Sequence, residues 1–351
     1  MSRSTLPKNR GSRFFGVDNR QSQTVYIYSL RGFESPEILN YYALFSSQPY
    51  PEEVQFMANS TLPSLNSMWD FSDPAGSEAR FREQIPHAIA AGDTAYHINL
   101  LTQIARTYSL RFQFKAAHQI LDEAESMLSE EWVEPRLRYL LERGRTYNTA
   151  KERSKALEMF HEALKLGMEH HQEYLAIDAA HMIAIAEEEP QAQIEWNLKA
   201  IALAEQATDP KARSWLGALL NNTGWALFRA RNYGKALELF EKSVDYERNE
   251  NHSQYERIQR WCVARTYRAM GRIDEALALQ HQLEAEYDAG GLQDQNGYGF
   301  EELGELYLLK NQTETAKTYF KRAYQYLSQD LWFVNNEPER YNRLKMWVEA
   351  E

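Results

Sequence analysis

Five times in this chain a Gly or Ala is followed three residues later by a large side chain and twelve residues later by an Ala. The pairs are Ala105 and Ala117, Gly144 and Ala156, Gly224 and Ala236, Ala264 and Ala276, and Gly304 and Ala316. Between them stand Tyr108, Tyr147, Leu227, Tyr267 and Tyr307. Four residues after each second Ala comes Leu121, Phe160, Phe240, Gln280 or Phe320, and seven after it Ala124, Ala163, Ser243, Leu283 or Ala323. Small residues at fixed places on two consecutive helices let their backbones approach closely, with bulky residues filling the flanks. Each unit therefore reads as a helical hairpin in which small faces small, and repetition at a fixed period means a stacked array.

A sixth, degenerate unit lies between 173 and 207. Tyr174 to Glu187 and Pro190 to Glu205 read as its two helices, and Pro190 suits a first helical turn. His181 stands at its small position, with Gln193 and Ala200 where the Ala residues would be. With Gln193 as marker, the steps from 117 to 316 are 39, 37, 43, 40 and 40 residues. The longest step contains Ala207-Thr208-Asp209-Pro210, a turn signal.

The arrangement resembles the tetratricopeptide repeat over residues 78–328, with its best copies at 217–250 and 297–330. The resemblance implies an all-α fold, a right-handed α-solenoid of about six stacked antiparallel hairpins. It also resembles bacterial cytoplasmic proteins made only of these repeats, on the stretches Asn221–Trp225, Arg260–Arg265 and Asn336–Arg340. The family is a general scaffold for peptides and protein partners, so it implies binding without naming a partner.

Composition agrees with such an array. Charged residues make up 25% of the 351, and no stretch approaches the ~20 apolar residues of a membrane span. A net charge of −11 argues against a nucleic-acid binder, which needs a basic surface. The single cysteine, Cys262, lies in an apolar run and reads as a buried small hydrophobe. With no secretory signal pattern at the start, the expected location is the cytoplasm.

The ends differ from the middle. Residues 1–56 are irregular and carry Arg3, Lys8, Arg10, Arg13, Arg20 and Arg31, with Thr24–Tyr28 as a lone strand-like run. Two readings stand for this segment, a basic arm or a start-site artefact with the native product beginning near Met57. Residues 57–77 read as a polar lead-in. In 329–351, Asn336-Glu337-Pro338 marks a helix start, and Tyr341, Leu344, Trp347 and Val348 can cover the last hairpin as a cap. The adjacent aromatics Trp332 and Phe333 are the candidate docking residues of that end.

In the family resembled, the first helix of each hairpin lines the concave surface. Its second, fifth, ninth and twelfth positions carry over to Asn99, Thr102, Arg106 and Ser109, then Arg138, Leu141, Arg145 and Asn148. The degenerate unit supplies Leu175, Asp178, Met182 and Ile185, and the next Ala218, Asn221, Trp225 and Phe228. The last two supply Ile258, Trp261, Arg265 and Arg268, then Tyr298, Glu301, Glu305 and Leu308. Arg106, Arg138, Arg145, Arg265 and Arg268 make this wall richer in arginine than an acidic chain leads one to expect. Arginine forks grip carboxylates, Asn bonds a peptide backbone, and Trp offers a flat apolar platform. The expected partner is thus a protein or peptide with an acidic or extended segment or a C-terminal carboxylate, held by Asn221, Trp225, Trp261 and Arg265 with Arg106, Arg145, Arg138, Asn148 and Arg268 in support. Chaperone tails fit poorly, because Thr102 and Arg106 replace the Lys and Asn of a carboxylate clamp and Glu142 faces them.

No phosphate loop or nucleophile elbow occurs, and Gly297-Tyr298-Gly299 reads as the start of a helix. His170 and His171 are adjacent, so on a helix they point ~100° apart and chelate poorly. The expectation is therefore a non-catalytic scaffold without cofactor or metal. A regulator whose superhelix changes when a peptide or small acid binds is the alternative, and self-association through the ends or convex face a further mode.

Overall fold

The computed structural model describes residues 62–349, which form helices joined by turns and short irregular links, with no strand among them. Residues 1–56, with their basic arm and strand-like run, lie outside the described residues. The helices are α1 (Pro74–Ala91), α2 (Thr94–Leu110), α3 (Phe114–Ser126), α4 (Val133–Thr149), α5 (Arg153–Glu169), α6 (Glu173–Ala186) and α7 (Pro190–Gln206). They continue with α8 (Pro210–Arg213), α9 (Trp215–Arg229), α10 (Tyr233–Asn249), α11 (Ser253–Ala269), α12 (Ile273–Ala289) and α13 (Gly297–Leu309). The last three are α14 (Thr313–Leu327), α15 (Leu331–Asn336) and α16 (Pro338–Glu349).

Consecutive helices pack antiparallel into the expected solenoid. Six hairpins pair a first helix (α2, α4, α6, α9, α11, α13) with a second one (α3, α5, α7, α10, α12, α14). The long step of 43 residues is explained by α8, a single turn capped by Asp209, whose side chain accepts from the Lys211 N–H.

The close approach inside each hairpin differs from the expectation. The small residue of the first helix faces the bulky residue of the second, sixteen positions on, rather than its small one. A Cβ placed on Gly224 or Gly304 would come within 2.6 and 2.5 Å of the Phe240 and Phe320 rings, and one on Gly144 would meet Phe160 the same way. Only glycine leaves room for a phenyl ring there. At the same two positions, sixteen residues apart, the other hairpins carry Ala105 and Leu121, Ala264 and Gln280, and His181 and Asn197, all buried. His181 Nδ1 lies 3.3 Å from Asn197 Oδ1, so a buried polar couple replaces the glycine and phenyl ring. Gln280 is 1% exposed and neither amide atom has a partner, which leaves the fifth hairpin the least well satisfied.

The turns are as regular as the helices. Phe112, Lys151, Arg231, Gly271 and Asn311 are all left-handed and each ends the first helix of its hairpin. The next residue's N–H reaches back to the carbonyl of Tyr108, Tyr147, Leu227, Tyr267 or Tyr307 at 2.9 Å. These are Schellman closures, which satisfy carbonyls left open at a helix end. The five large residues of the sequence pattern thus also supply the acceptors that stop their helices.

Both ends are built from half hairpins. Helix α1 carries a second-helix signature, Ser77 and Phe81, both fully buried. Its partner helix is replaced by the stretch 62–73, where a 3-10 turn (Asn66–Met68) sets Met68, Trp69 and Leu65 against Phe81. The described part of the polar lead-in is therefore packed structure, and its helix begins at Pro74. At the other end α16 has first-helix register, with Leu344 (2% exposed) at the small position. Trp347 stacks on Phe320 at 5.1 Å and Tyr341 on Tyr324 at 5.7 Å, so α16 covers α14. Val348, also expected in that contact, is instead 37% exposed. Cys262 is buried at 1%, among apolar neighbours.

Candidate functional site: the first-helix face

The first helices stand side by side, so residues one repeat apart meet across neighbouring helices. At the N-terminal end Trp69 donates to Gln103 Oε1 at 2.9 Å and stacks on Phe71 at 4.4 Å. The Arg106 guanidinium lies 5.9 and 5.6 Å from those two rings. Arg106 also donates to Glu142 at 3.1 Å, and Arg145 donates to the same Glu142 oxygen at 2.7 Å. Arg145 then grips both oxygens of Asp178 at 2.5 and 2.6 Å. These contacts form one ladder across α2, α4 and α6. Behind it, burial holds the His181 imidazole below the usual histidine range, against the pull of Asp178 and of its Asn197 contact.

A second ladder closes the C-terminal end. Arg268 donates to both oxygens of Glu302 at 2.5 and 2.9 Å, and Arg340 to both of Glu301 at 3.1 and 2.5 Å. Arg343 pairs with Glu305. In these two ladders every guanidinium is matched by a carboxylate, two against two in the first and three against four in the second, where Glu337 also lies 3.6 Å from Arg340.

Between the ladders the face is aromatic. Trp225 is 2% exposed and wedged among Phe228, Phe240 and Trp261, with centroids at 5.1, 5.2 and 6.0 Å. Trp261 is only partly buried and its indole N–H donates to the Tyr298 carbonyl at 3.2 Å. The Arg265 guanidinium lies over both indoles, 5.6 Å from Trp225 and 5.2 Å from Trp261. Phe228, Ile258, Tyr298 and Leu308 are also partly exposed.

The structure corrects several sequence-based assignments. Asn221 is 1% exposed and spends its amide inside the array, donating to Asn222 and accepting from Gln259, both at 3.3 Å. It therefore presents no amide to a partner's backbone. Trp225 is core rather than platform, because three aromatic residues converge on it. Arg106, Arg145 and Arg268 are neutralised within the chain, and Arg138 pairs with Glu134 one turn away at 2.8 Å. Asn148 stays partly exposed beside them. Phe333, a candidate docking residue, is fully buried and edge-on to Tyr298 at 5.9 Å.

Sequence reasoning undercounted the acids. Glu142 and Glu302 sit two positions before the small residue, one off the rows taken as concave. An Arg followed by a carboxylate roughly one repeat later (Arg106 and Glu142, Arg145 and Asp178, Arg268 and Glu302) was the available signal. Among the described residues no three His, Cys, Asp or Glu side chains come together as a metal site, and no helix is long and apolar enough to cross a membrane.

No family profile and no curated protein matches this chain. Solved structures do. BtubC from P. vanneervenii is 15% identical, covering 66% of this chain and 93% of that one, with a TM-score of 0.50. The C-terminal part of a TPR repeat-containing protein from Cytophaga hutchinsonii is 15% identical over 75% and 94% of the two chains, at 0.49. Aspartyl phosphate phosphatase F from Bacillus subtilis is 12% identical and covers 97% of each chain, at 0.47. At such identities the likeness shows the fold alone, which the hairpins themselves already display.

Proposed function

We propose that this helical-hairpin solenoid of tetratricopeptide-repeat type is a non-catalytic scaffold that holds a segment of a protein partner along its first-helix face. The observation that carries the reading is the break between the two ladders. There Phe228, Ile258, Trp261, Tyr298 and Leu308 remain partly open on three successive first helices, whereas on either side the rows carry Arg106, Arg145, Asp178, Arg268, Glu301 and Glu305 in internal ion pairs. Partly exposed aromatic side chains on a rigid frame are typical anchors of protein interfaces. Support for an acidic partner is lost with the arginines, because a ligand carboxylate would have to displace one the chain already supplies. Phe228, Trp261 and Arg265 stay at the centre of the proposed site.

A benzophenone side chain placed at Phe228 in the full chain, with a matching one at the outward Glu241, tests this in cells. A discrete adduct is expected from the inner position, reduced by Trp261→Ala and missing from the outer one. Equal adducts from both faces would reject the assignment.

A further inference from the structure

We infer that the segment taken by this face is uncharged and anchored by large apolar side chains, and that Phe228, Trp261, Tyr298 and Leu308 select it; the inference rests on the scaffold reading above. Three observations converge. The first ladder cancels its own charge and the second carries one carboxylate in excess, so the walls flanking the opening offer no net positive charge to draw an acidic segment and at most one negative charge to a basic one. Each of their guanidinium groups already holds a carboxylate, so an incoming one would only exchange one ion pair for another. The opening itself is apolar, and Met270 and Leu309, 40% and 56% exposed, carry that character to the ends of α11 and α13. A charged segment laid across these side chains would lose hydration and gain at most that one counter-charge from the ladders. An apolar one buries its surface with no such loss.

The cations at the opening do not alter this: Arg340, 5.7 Å from the Tyr298 ring, already holds Glu301, and a second is Arg265. Its guanidinium lies over two indoles, an arrangement that stiffens the floor of the site. Phe228, Trp261 and Tyr298 stand on successive first helices, so they offer one anchor position per hairpin. The partner segment should therefore carry several apolar residues rather than one.

Displayed random 12-residue peptides, selected on the full-length protein in 0.05 M and in 1 M NaCl, test the inference. The expected winners are rich in Trp, Phe and Leu, keep their affinity within about threefold between the two salt concentrations, and weaken at least tenfold on Leu308→Ser or Phe228→Ser. The salt comparison is decisive because screening shortens the reach of charge to ~3 Å at 1 M. Winners rich in Asp and Glu, lost in 1 M NaCl yet still sensitive to the two variants, would overturn the inference and leave the scaffold face standing. Winners indifferent to both variants, or no winners, would overturn both.

Discussion

At the scale of single residues, the rule governing each hairpin is a sum of sizes across sixteen positions. Glycine pairs with phenylalanine, alanine with leucine or glutamine, and histidine with asparagine. Gly224→Ala puts a methyl group where the Phe240 ring sits, so either ring or helix must shift. Such overpacking costs about 1–3 kcal/mol. Phe240→Leu alone leaves a void and also destabilises. The double variant recreates the Ala105 and Leu121 combination native to the first hairpin, so it should recover about 1 kcal/mol or more of the summed loss. Urea denaturation of the four proteins in a double-mutant cycle measures this coupling; strict additivity would show that the two sites do not share one space.

At the scale of elements, the fold was largely legible because one short pattern specifies both helices and the turn between them. The large residue three after each small one packs, and its carbonyl also closes the helix. Terminal elements were less legible. Helix α1 carries Ser77 and Phe81 in second-helix register, but its partner is a 3-10 turn with no helical period to read. The face was legible in position and not in availability. Whether Arg145 points to solvent or to Asp178 depends on a residue 33 positions away on another helix. Asn221 looked like a ligand-binding amide because the burial that Gln259 and Trp225 impose on it cannot be read from its own segment. The turns yield a prediction of their own. Lys151 and Arg231 are exposed and left-handed, with φ of 68° and 58°, a conformation that costs a side-chain-bearing residue about 1–2 kcal/mol. Glycine adopts it freely but loses more entropy on folding. Lys151→Gly and Arg231→Gly should therefore each stabilise by a net ~0.5–1 kcal/mol, raising the thermal midpoint without changing helix content by circular dichroism. A lower midpoint would mean that these side chains do more at the turn than the backbone geometry accounts for.

For the whole molecule, stability is a chain of nearest-neighbour interfaces, so the array is only as cooperative as its weakest seam. That seam lies between α12 and α13. Residues 290–296 replace the short turns at 170–172 and 250–252 with a longer linker containing a 3-10 turn (Gln293–Gln295). At the position where three other hairpins bury a phenyl ring, Gln280 buries an amide whose two polar atoms lack partners, a deficit of about 1–3 kcal/mol. Ala276 and Leu277 continue the apolar core into Phe300 and Leu303, and polar ties add to it. Arg268 holds Glu302, Lys310 reaches Asp274 at 2.6 Å, Tyr319 donates to Glu284 at 3.1 Å, and His281 meets the Tyr307 hydroxyl at 2.8 Å. Trp261 and Tyr298, the centre of the proposed site, face each other across it. Local opening should therefore begin here, with α13 to α16 exchanging backbone hydrogens as a unit ahead of α9 to α11. Ala264→Gly combined with Gln280→Phe transplants the size rule of the fourth and sixth hairpins into the fifth. It should slow exchange of α13 to α16 by tenfold or more toward the rate of the central hairpins, tenfold being ~1.4 kcal/mol. If exchange in α13 to α16 already matches the centre in the native chain, the polar ties compensate fully and no weak seam exists.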